Sequence, residues 1–365
     1  MTKKLNMDIT TKLEIIKSVA EEIITEKELE ELLKTNSKLY AYDGFEPSGL
    51  AHLPFGVFRP MLIKELEKVG IKFKLLIADS FAWINNKMQG DLEKIKKVGE
   101  YFIEVWKASG LENVEFLWSS DFFGDKEYWK KVILIAKNTT IKRATRALTI
   151  MGRKEGELKE IAQYFYPIMQ VADIFHLNVD ICQLGLDQRR ANILAREIAE
   201  KLNWKKPIII SHHMLMGLEG IKEPEGFDEN RNIDIQISSK MSKSKPKSCI
   251  FVHDSREEIY KKIRSAFCPP KVIEGNPILD YCKHLILKKF KSMKIEREEK
   301  YGGNLEIHSY EELEDYFKKG EIHPLDLKNA VAYYIDKLVE PIREYFEKNK
   351  KAKELYEFVR GSINA

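Results

Sequence analysis

Three stretches of the chain place polar side chains where they would need partners. In "YFYPIMQVADIF", residues 164–175, Tyr166, Gln170 and Asp173 interrupt a segment apolar enough for burial. A helix turns ~100° per residue, so Gln170 lies ~40° and Asp173 ~−20° from Tyr166, and the three share one narrow stripe. An exposed amphipathic face would be the plainest reading, but the flanks are too apolar for it, and a further polar cluster follows in "LGLDQRR". A buried stripe of this kind costs roughly 1–3 kcal/mol per unpaired group, and a small polar ligand would satisfy it. In "EPSGLAHLPFG", Ser48 and Gly49 permit close backbone approach and His52 stands just before a helix. Free N–H groups and the positive dipole end make that a place for phosphate. In "ISSKMSKSKPKS", Lys240 and Lys243 sit on a loop. Two mobile ammonium groups there could close over a triphosphate and stabilise a leaving pyrophosphate. The stretch upstream, "GLEGIKEPEGFDENRNIDIQ", has the length and polarity of a loop that moves.

These groups need a scaffold, and the pattern supplies one. "KLYAYDGF" and "KFKLLIADSFAWI" read as strands, with a helix over about 54–69 between them, and "VDICQLGLDQ" and "KPIIISHHML" as later strands. Strands alternating with helices predict βαβ units and a parallel, doubly wound sheet. Pro167 is accommodated if it falls in the first turn of its helix. From about residue 255 the chain turns to charged helical segments without buried strands. The expected layout is an N-terminal helical extension (1–36), a Rossmann-type α/β catalytic domain with a connective insertion (37–254) and an all-helical C-terminal domain (255–365).

The 365 residues suffice for two cores. With 61 basic and 57 acidic side chains, the net charge of +4 neither requires nor excludes nucleic acid, so local clusters must decide. No apolar run is long enough to span a membrane, and the charged N-terminus lacks a signal peptide's apolar centre. Cys182, Cys249, Cys268 and Cys282 are too scattered for a zinc site or a disulfide framework, so a reducing cytoplasm and no structural metal are expected.

Taken together, "AYDGFEPSG", "YPIMQVADIF", "GLDQRR", "KMSKS" and "HPLDLKNAVA", in that order, resemble the tyrosyl-tRNA synthetases of archaeal and eukaryotic type. The likeness runs from Leu39 to Phe346. "HLPF" and "KMSKS" are similar to the paired signatures of the class I aminoacyl-tRNA synthetases, with Phe55 where the first signature usually ends in histidine and Pro54 in place of its glycine.

The resemblance implies an enzyme that joins tyrosine to ATP and then to tRNA(Tyr). By it, Tyr42 and Asp173 would bind the substrate's phenol, and Tyr166, Gln170 and Gln188 its amino group, with Glu46 supporting the pocket. His52 would meet the ATP phosphates, with Gly44 and Gly49 allowing approach, Gly185 and Asp187 would contact the ribose, and Lys240 and Lys243 would clamp the triphosphate. Phenylalanine would leave Tyr42 and Asp173 unpaired. Magnesium would accompany the ATP, although no carboxylate cage is evident.

The basic stretch "KKVILIAKNTTIKRATRALTIMGRK", with Lys142, Arg143, Arg146, Arg153 and Lys154, would meet the acceptor end of tRNA, Arg146 at the first base pair. "KYGGN" and "HPLDLKNA" would read the anticodon: Tyr301 by stacking, Asp326 by accepting from a guanine. A homodimer is implied. The rival readings are a tryptophanyl enzyme, a non-catalytic RNA-binding relative and a nucleotidyltransferase acting without tRNA.

Overall fold

The computed structural model describes residues 7–35, 38–152 and 160–364; Arg153 and Lys154 lie outside them. Six strands form one sheet in the order β1-β6-β5-β2-β3-β4. They are β1 (Glu22–Ile24), β2 (Leu39–Phe45), β3 (Ile71–Ile77), β4 (Glu115–Trp118), β5 (Ile181–Cys182) and β6 (Ile208–Ser211). All neighbours are parallel except β1, which runs antiparallel to β6 with Glu22 opposite Ser211. The sheet is thus a parallel one built from helical crossovers, with an antiparallel edge supplied by the N-terminal segment.

That edge was not expected. "EII" is too short to show a period, and its neighbours are helices, Ile9–Val19 and Glu26–Thr35. Those helices bury Ile16, Val19, Leu29 and Leu33 in the core that also receives Leu39, Ile71 and Phe73 of β2 and β3. Residues 9–35 are therefore part of the sheet's packing.

The helical stretch after β2 begins with a π-turn, Pro54–Phe58, in which the Arg59 N–H donates to Pro54 O, and continues as Arg59–Lys68. It lies so close to the chain at Val252 that a Cβ on Gly56 would come within 2.6 Å of the Val252 side chain. Beneath the sheet's C-terminal end, Arg59 is buried with Asp43 at 2.5 Å and donates to Gln183 O at 2.6 Å, tying β2 to the segment after β5.

Beyond residue 255 the chain is helical apart from one antiparallel pair, β7 (Met293–Ile295) with β8 (Leu305–Ile307). The pair escaped the sequence reading because each strand has three residues inside a charged stretch. The helices Arg256–Ser265 and Pro324–Lys348 share the apolar core of the sheet's outer face. Tyr345 donates to Glu104 at 2.6 Å, and Tyr101 packs against Phe346, 5.7 Å between ring centroids. Among the described residues no helix is long and apolar enough to cross a membrane, and all four cysteines are buried and free.

Candidate active site

A cavity of about 920 Å³ opens at the C-terminal ends of β2, β3 and β5, where ligands bind in open α/β sheets. Its deep wall is the helix Ala162–His176, and Tyr166, Gln170 and Asp173 all line it. The helix starts a turn earlier than the sequence suggested. Pro167 is its sixth residue, so the ring sits inside the helix rather than in the first turn.

Asp173 is 0% exposed. Its Oδ1 accepts from the Tyr128 hydroxyl at 2.9 Å, while its Oδ2 has no partner among the described residues. Burial pushes its carboxyl well above the ordinary aspartate range, and the Tyr128 bond offsets only part of that. Tyr42 shares the cavity, its own phenol held up by burial and by Asp173. The site therefore presents a dry, unpartnered carboxyl oxygen beside a phenol, with Leu76, Ala78 and Phe81 as apolar walls.

Further out, Tyr166 donates to Glu46 at 2.7 Å, and Asn85 donates to the same carboxylate at 2.9 Å. Lys87 stands 3.5 Å from Glu46. Gln170 donates to Gln188 at 3.1 Å, and Gln188 to Ile150 O at 3.2 Å. The mouth of the cavity is lined by Gly44, Ser48, Gly49, Asp187, Lys240, Ser242 and Lys243. Gly49 has φ +119°, a conformation other residues resist.

The two signature stretches are hydrogen-bonded to one another. Leu53 N–H donates to Ile250 O at 2.8 Å, and Val252 N–H to Ala51 O at 3.1 Å. Lys243 donates to Ser48 at 2.7 Å, and Lys240 pairs with Asp187 at 2.6 Å. Burial raises the Asp187 carboxyl, but Lys240 more than offsets it and holds the group below its usual range. Burial, with Lys87 adding, pulls Lys243 down to about 8. His52 heads the helix as expected. Burial, reinforced by Lys243 and Lys240, keeps it well below the ordinary imidazole range, and its Nδ1 has no partner among the described residues.

Two expected residues do not line the cavity: His52 and Gly185. A Cβ on Gly185 would lie 2.6 Å from Asp187 Oδ1, so glycine there leaves room for the carboxylate. The segment before Lys240 is folded rather than open. Its second half is the helix Arg231–Ser239, and Asp234 accepts from the N–H groups of Glu225, Gly226 and Phe227.

Tyr128, Asn85 and Lys87 were missed. Nothing in "DKEYWKKVILIAK" marks Tyr128 as more than an apolar-face aromatic, because its partner lies 45 residues away. Replacing Tyr128 with phenylalanine removes the donor that orients Asp173. We expect KM for the molecule seated against Asp173 to rise about tenfold, close to the loss of one hydrogen bond, with little change in unfolding temperature. An unchanged KM would reject the orienting role.

Away from the cavity, Arg146 is exposed and pairs with Glu229 at 3.1 Å. Arg143 is engaged with Glu197 at 2.9 Å. Tyr301 is 62% exposed, on a turn continued by Gly302 and Gly303 at positive φ. Arg297 donates to Gly303 O and Glu321 O, tying that turn to the segment entering the helix whose first turn holds Asp326.

A parallel sheet, a helix headed by His52 and a Lys-Met-Ser-Lys-Ser loop bonded to it define a class I aminoacyl-tRNA synthetase. Residues 34–223 and 233–340 match the model of the tRNA synthetases class I (W and Y). The chain is 43% identical over 363 residues to tyrosine–tRNA ligase 1, cytoplasmic, of Arabidopsis thaliana, covering 98% of this chain and 90% of that one. It is 44% identical over 374 residues to the tyrosine–tRNA ligase of Thermococcus sibiricus, covering 97% and 99%. The tyrosyl-tRNA synthetase of Pyrococcus horikoshii, solved with L-tyrosine, superposes with a TM-score of 0.88 at 40% identity, covering 97% of this chain and all of that one. The chain belongs to the tyrosyl-tRNA synthetase family.

Proposed function

We propose that this tyrosine–tRNA ligase seats the ring of L-tyrosine between Leu76, Phe81 and the helix Ala162–His176, with its phenol at Asp173 and Tyr42. The reading rests on one observation: Asp173 Oδ2 is buried against a cavity and has no hydrogen-bond partner among the described residues. A phenolic O–H supplies it. Tryptophan's only donor is an indole N–H at another place on the ring, and phenylalanine has none. Gln170, Tyr166 and Gln188 receive the α-amino group, and the Glu46 carboxylate holds Tyr166 in place.

ATP occupies the mouth. Its ribose hydroxyls replace Lys240 at Asp187, which frees that ammonium for the phosphates, and Lys243 leaves Ser48 for the same target. A tyrosine carboxylate oxygen attacks the α-phosphorus, the bond to the bridging oxygen breaks, and pyrophosphate departs with the electron pair. A terminal ribose hydroxyl of tRNA then attacks the tyrosyl carbonyl carbon and AMP leaves. Both steps need positioning and charge stabilisation, not a protein nucleophile. His52 stands behind the cavity wall, so its neutral imidazole donates to the phosphates once Lys243 has left Ser48 and opened the mouth. With Asp187 on the ribose and Glu46 holding Tyr166, magnesium arriving with ATP would be held by the phosphate oxygens and water.

Residues 255–365 act as the anticodon reader, with Tyr301 and Asp326 on joined segments, and Arg146 meets the acceptor end. Homodimer formation belongs to the same reading on family likeness, and a cytoplasmic location accords with the name of the Arabidopsis relative.

ATP–pyrophosphate exchange with each amino acid tests the proposal. We expect exchange with tyrosine and none above background with tryptophan. Tyr301→Ala should leave exchange intact and lower kcat/KM for tRNA about tenfold, the scale of one lost base-stacking contact. Absence of any tyrosine-dependent exchange would favour the non-catalytic RNA-binding reading, and unchanged charging would remove Tyr301 from recognition.

A further inference from the structure

Lys240 is the residue that ends the helix Arg231–Ser239, and its backbone is paired with a short segment that follows β6. Met241 N–H donates to Leu215 O at 2.8 Å, and Gly217 N–H donates to Ser239 O at 2.8 Å. These bonds set Met216 opposite Lys240 in an antiparallel bridge. The bonds lie on the neighbours, so Met216 and Lys240 are a non-hydrogen-bonded pair, and the N–H and C=O of Met216 both point away from Lys240.

Polar backbone groups turned outward in this way need partners when they are enclosed. Two successive residues of the helix Pro277–Tyr281 supply them. Asp280 Oδ2 accepts from Met216 N–H at 3.0 Å, and the Tyr281 hydroxyl donates to Met216 O at 2.6 Å. The two side chains thus do for Met216 what a third strand would do.

We infer that Asp280 and Tyr281 are positioning residues for tyrosine activation: acting through the backbone of Met216, they fix the point from which Lys240 reaches the ATP phosphates. The inference rests on the assignment of Lys240 to those phosphates.

Tyr281 is 0% exposed. Phenylalanine would fill the same volume, so what tyrosine adds here is the hydroxyl on Met216, the polar tip that a buried phenol must satisfy. Asp280 is held at its other oxygen, with His213 Nε2 2.8 Å from Oδ1. His213 and Met216 lie on the same segment, so the carboxylate is fixed at two points of the chain it supports. The link from Met216 to Lys240 runs through backbone bonds, which have no rotamers to absorb a shift. Lys240 pairs with Asp187 at 2.6 Å, and its swing to the phosphates must pivot about a fixed Cα. Lys243 is held separately, through Ser48 and the bonds between the two signature stretches. Asp280 and Tyr281 therefore serve one lysine of the loop and not the other.

A double-mutant cycle on kcat for tyrosine-dependent ATP–pyrophosphate exchange, with the full chain, tests this. Tyr281→Phe should lower kcat about tenfold, the scale of one buried carbonyl left unpaired. KM for tyrosine should stay unchanged, because other elements form that subsite. Lys240→Ala should lower kcat by itself, and adding Tyr281→Phe to it should cost less than about twofold more, since contacts that act as one unit are not additive. Asp280→Asn keeps an oxygen for Met216 N–H and should retain most of the wild-type kcat, whereas Asp280→Ala should lose as much as Tyr281→Phe. Unfolding temperatures report whether each variant folds, and if Tyr281→Phe does not, the two Asp280 variants decide. A kcat unchanged in folded Tyr281→Phe, or a loss that simply multiplies with that of Lys240→Ala, would overturn the inference and leave the Lys240 assignment standing. Undiminished exchange in Lys240→Ala would overturn both.

Discussion

Lys243→Ala is expected to lower kcat for tyrosine-dependent ATP–pyrophosphate exchange about 10²–10³-fold while leaving KM for tyrosine unchanged. Removal of one preorganised donor at developing charge has that magnitude. The argument rests on position: Lys243 lines the cavity mouth, bonds Ser48, and lies on the loop tied to the His52 segment through Leu53, Ile250, Ala51 and Val252. The tyrosine subsite is formed by other elements, so ground-state binding of the amino acid survives. Burial also puts this ammonium near 8 rather than at the usual lysine value. It is charged below that pH and neutral above it. In wild type, kcat/KM for ATP should therefore fall as pH rises through about 8, approaching tenfold per unit. Bound phosphate restores charge to the lysine, so the fall in kcat comes at higher pH. Lys243→Arg should move the alkaline limb upward. An alkaline limb unmoved in Lys243→Arg, or exchange undiminished in Lys243→Ala, would remove Lys243 from the step.

Asp173→Asn gives the second large effect, on the other half of the substrate. We expect kcat/KM for tyrosine to fall about 10²-fold, equivalent to about 3 kcal/mol and the upper end of the cost of leaving a buried polar group mispaired. Phenylalanine, which cannot use Asp173, should change little, so discrimination narrows by the same factor. Stability moves the other way. A carboxyl group at 0% exposure with one unpartnered oxygen is costly to keep in the fold. The amide should unfold at the same temperature or higher. Tyrosine kinetics left intact would contradict the phenol assignment, whereas a large drop in unfolding temperature would make Asp173 a structural group.

The site was readable in the sequence to the extent that its residues lie near one another along the chain. Helical spacing alone put Tyr166, Gln170 and Asp173 on one face, and all three line the cavity. Lys240, Lys243 and Asp187 came from compact motifs and stand together at its mouth. Partners from distant segments were not readable. Tyr128 looks like any buried aromatic of its helix, and Asn85 meets Glu46 across 39 residues. The pairing of Lys240 with Asp187, and the exclusion of His52 from the cavity wall, depend on side-chain conformations that no spacing encodes. In the fold, apolar runs identified β2, β3, β5 and β6, but β1 and β4, with three and four residues, are defined by their neighbours rather than by a pattern of their own.

Strand β1 also constrains how the protein can be made. It borders β6, with Ile23 opposite Ile210, so this strand leaves the ribosome long before the residues that pair with it. Until then, Ile16 and Leu29 belong to a core that does not yet exist. The nascent chain carries this unsatisfied apolar segment through synthesis of most of the sheet, and closing so distant a contact is slow. Chaperone demand during translation should accordingly be concentrated on the N-terminal helices, and deleting them would leave β6 as a bare edge open to aggregation.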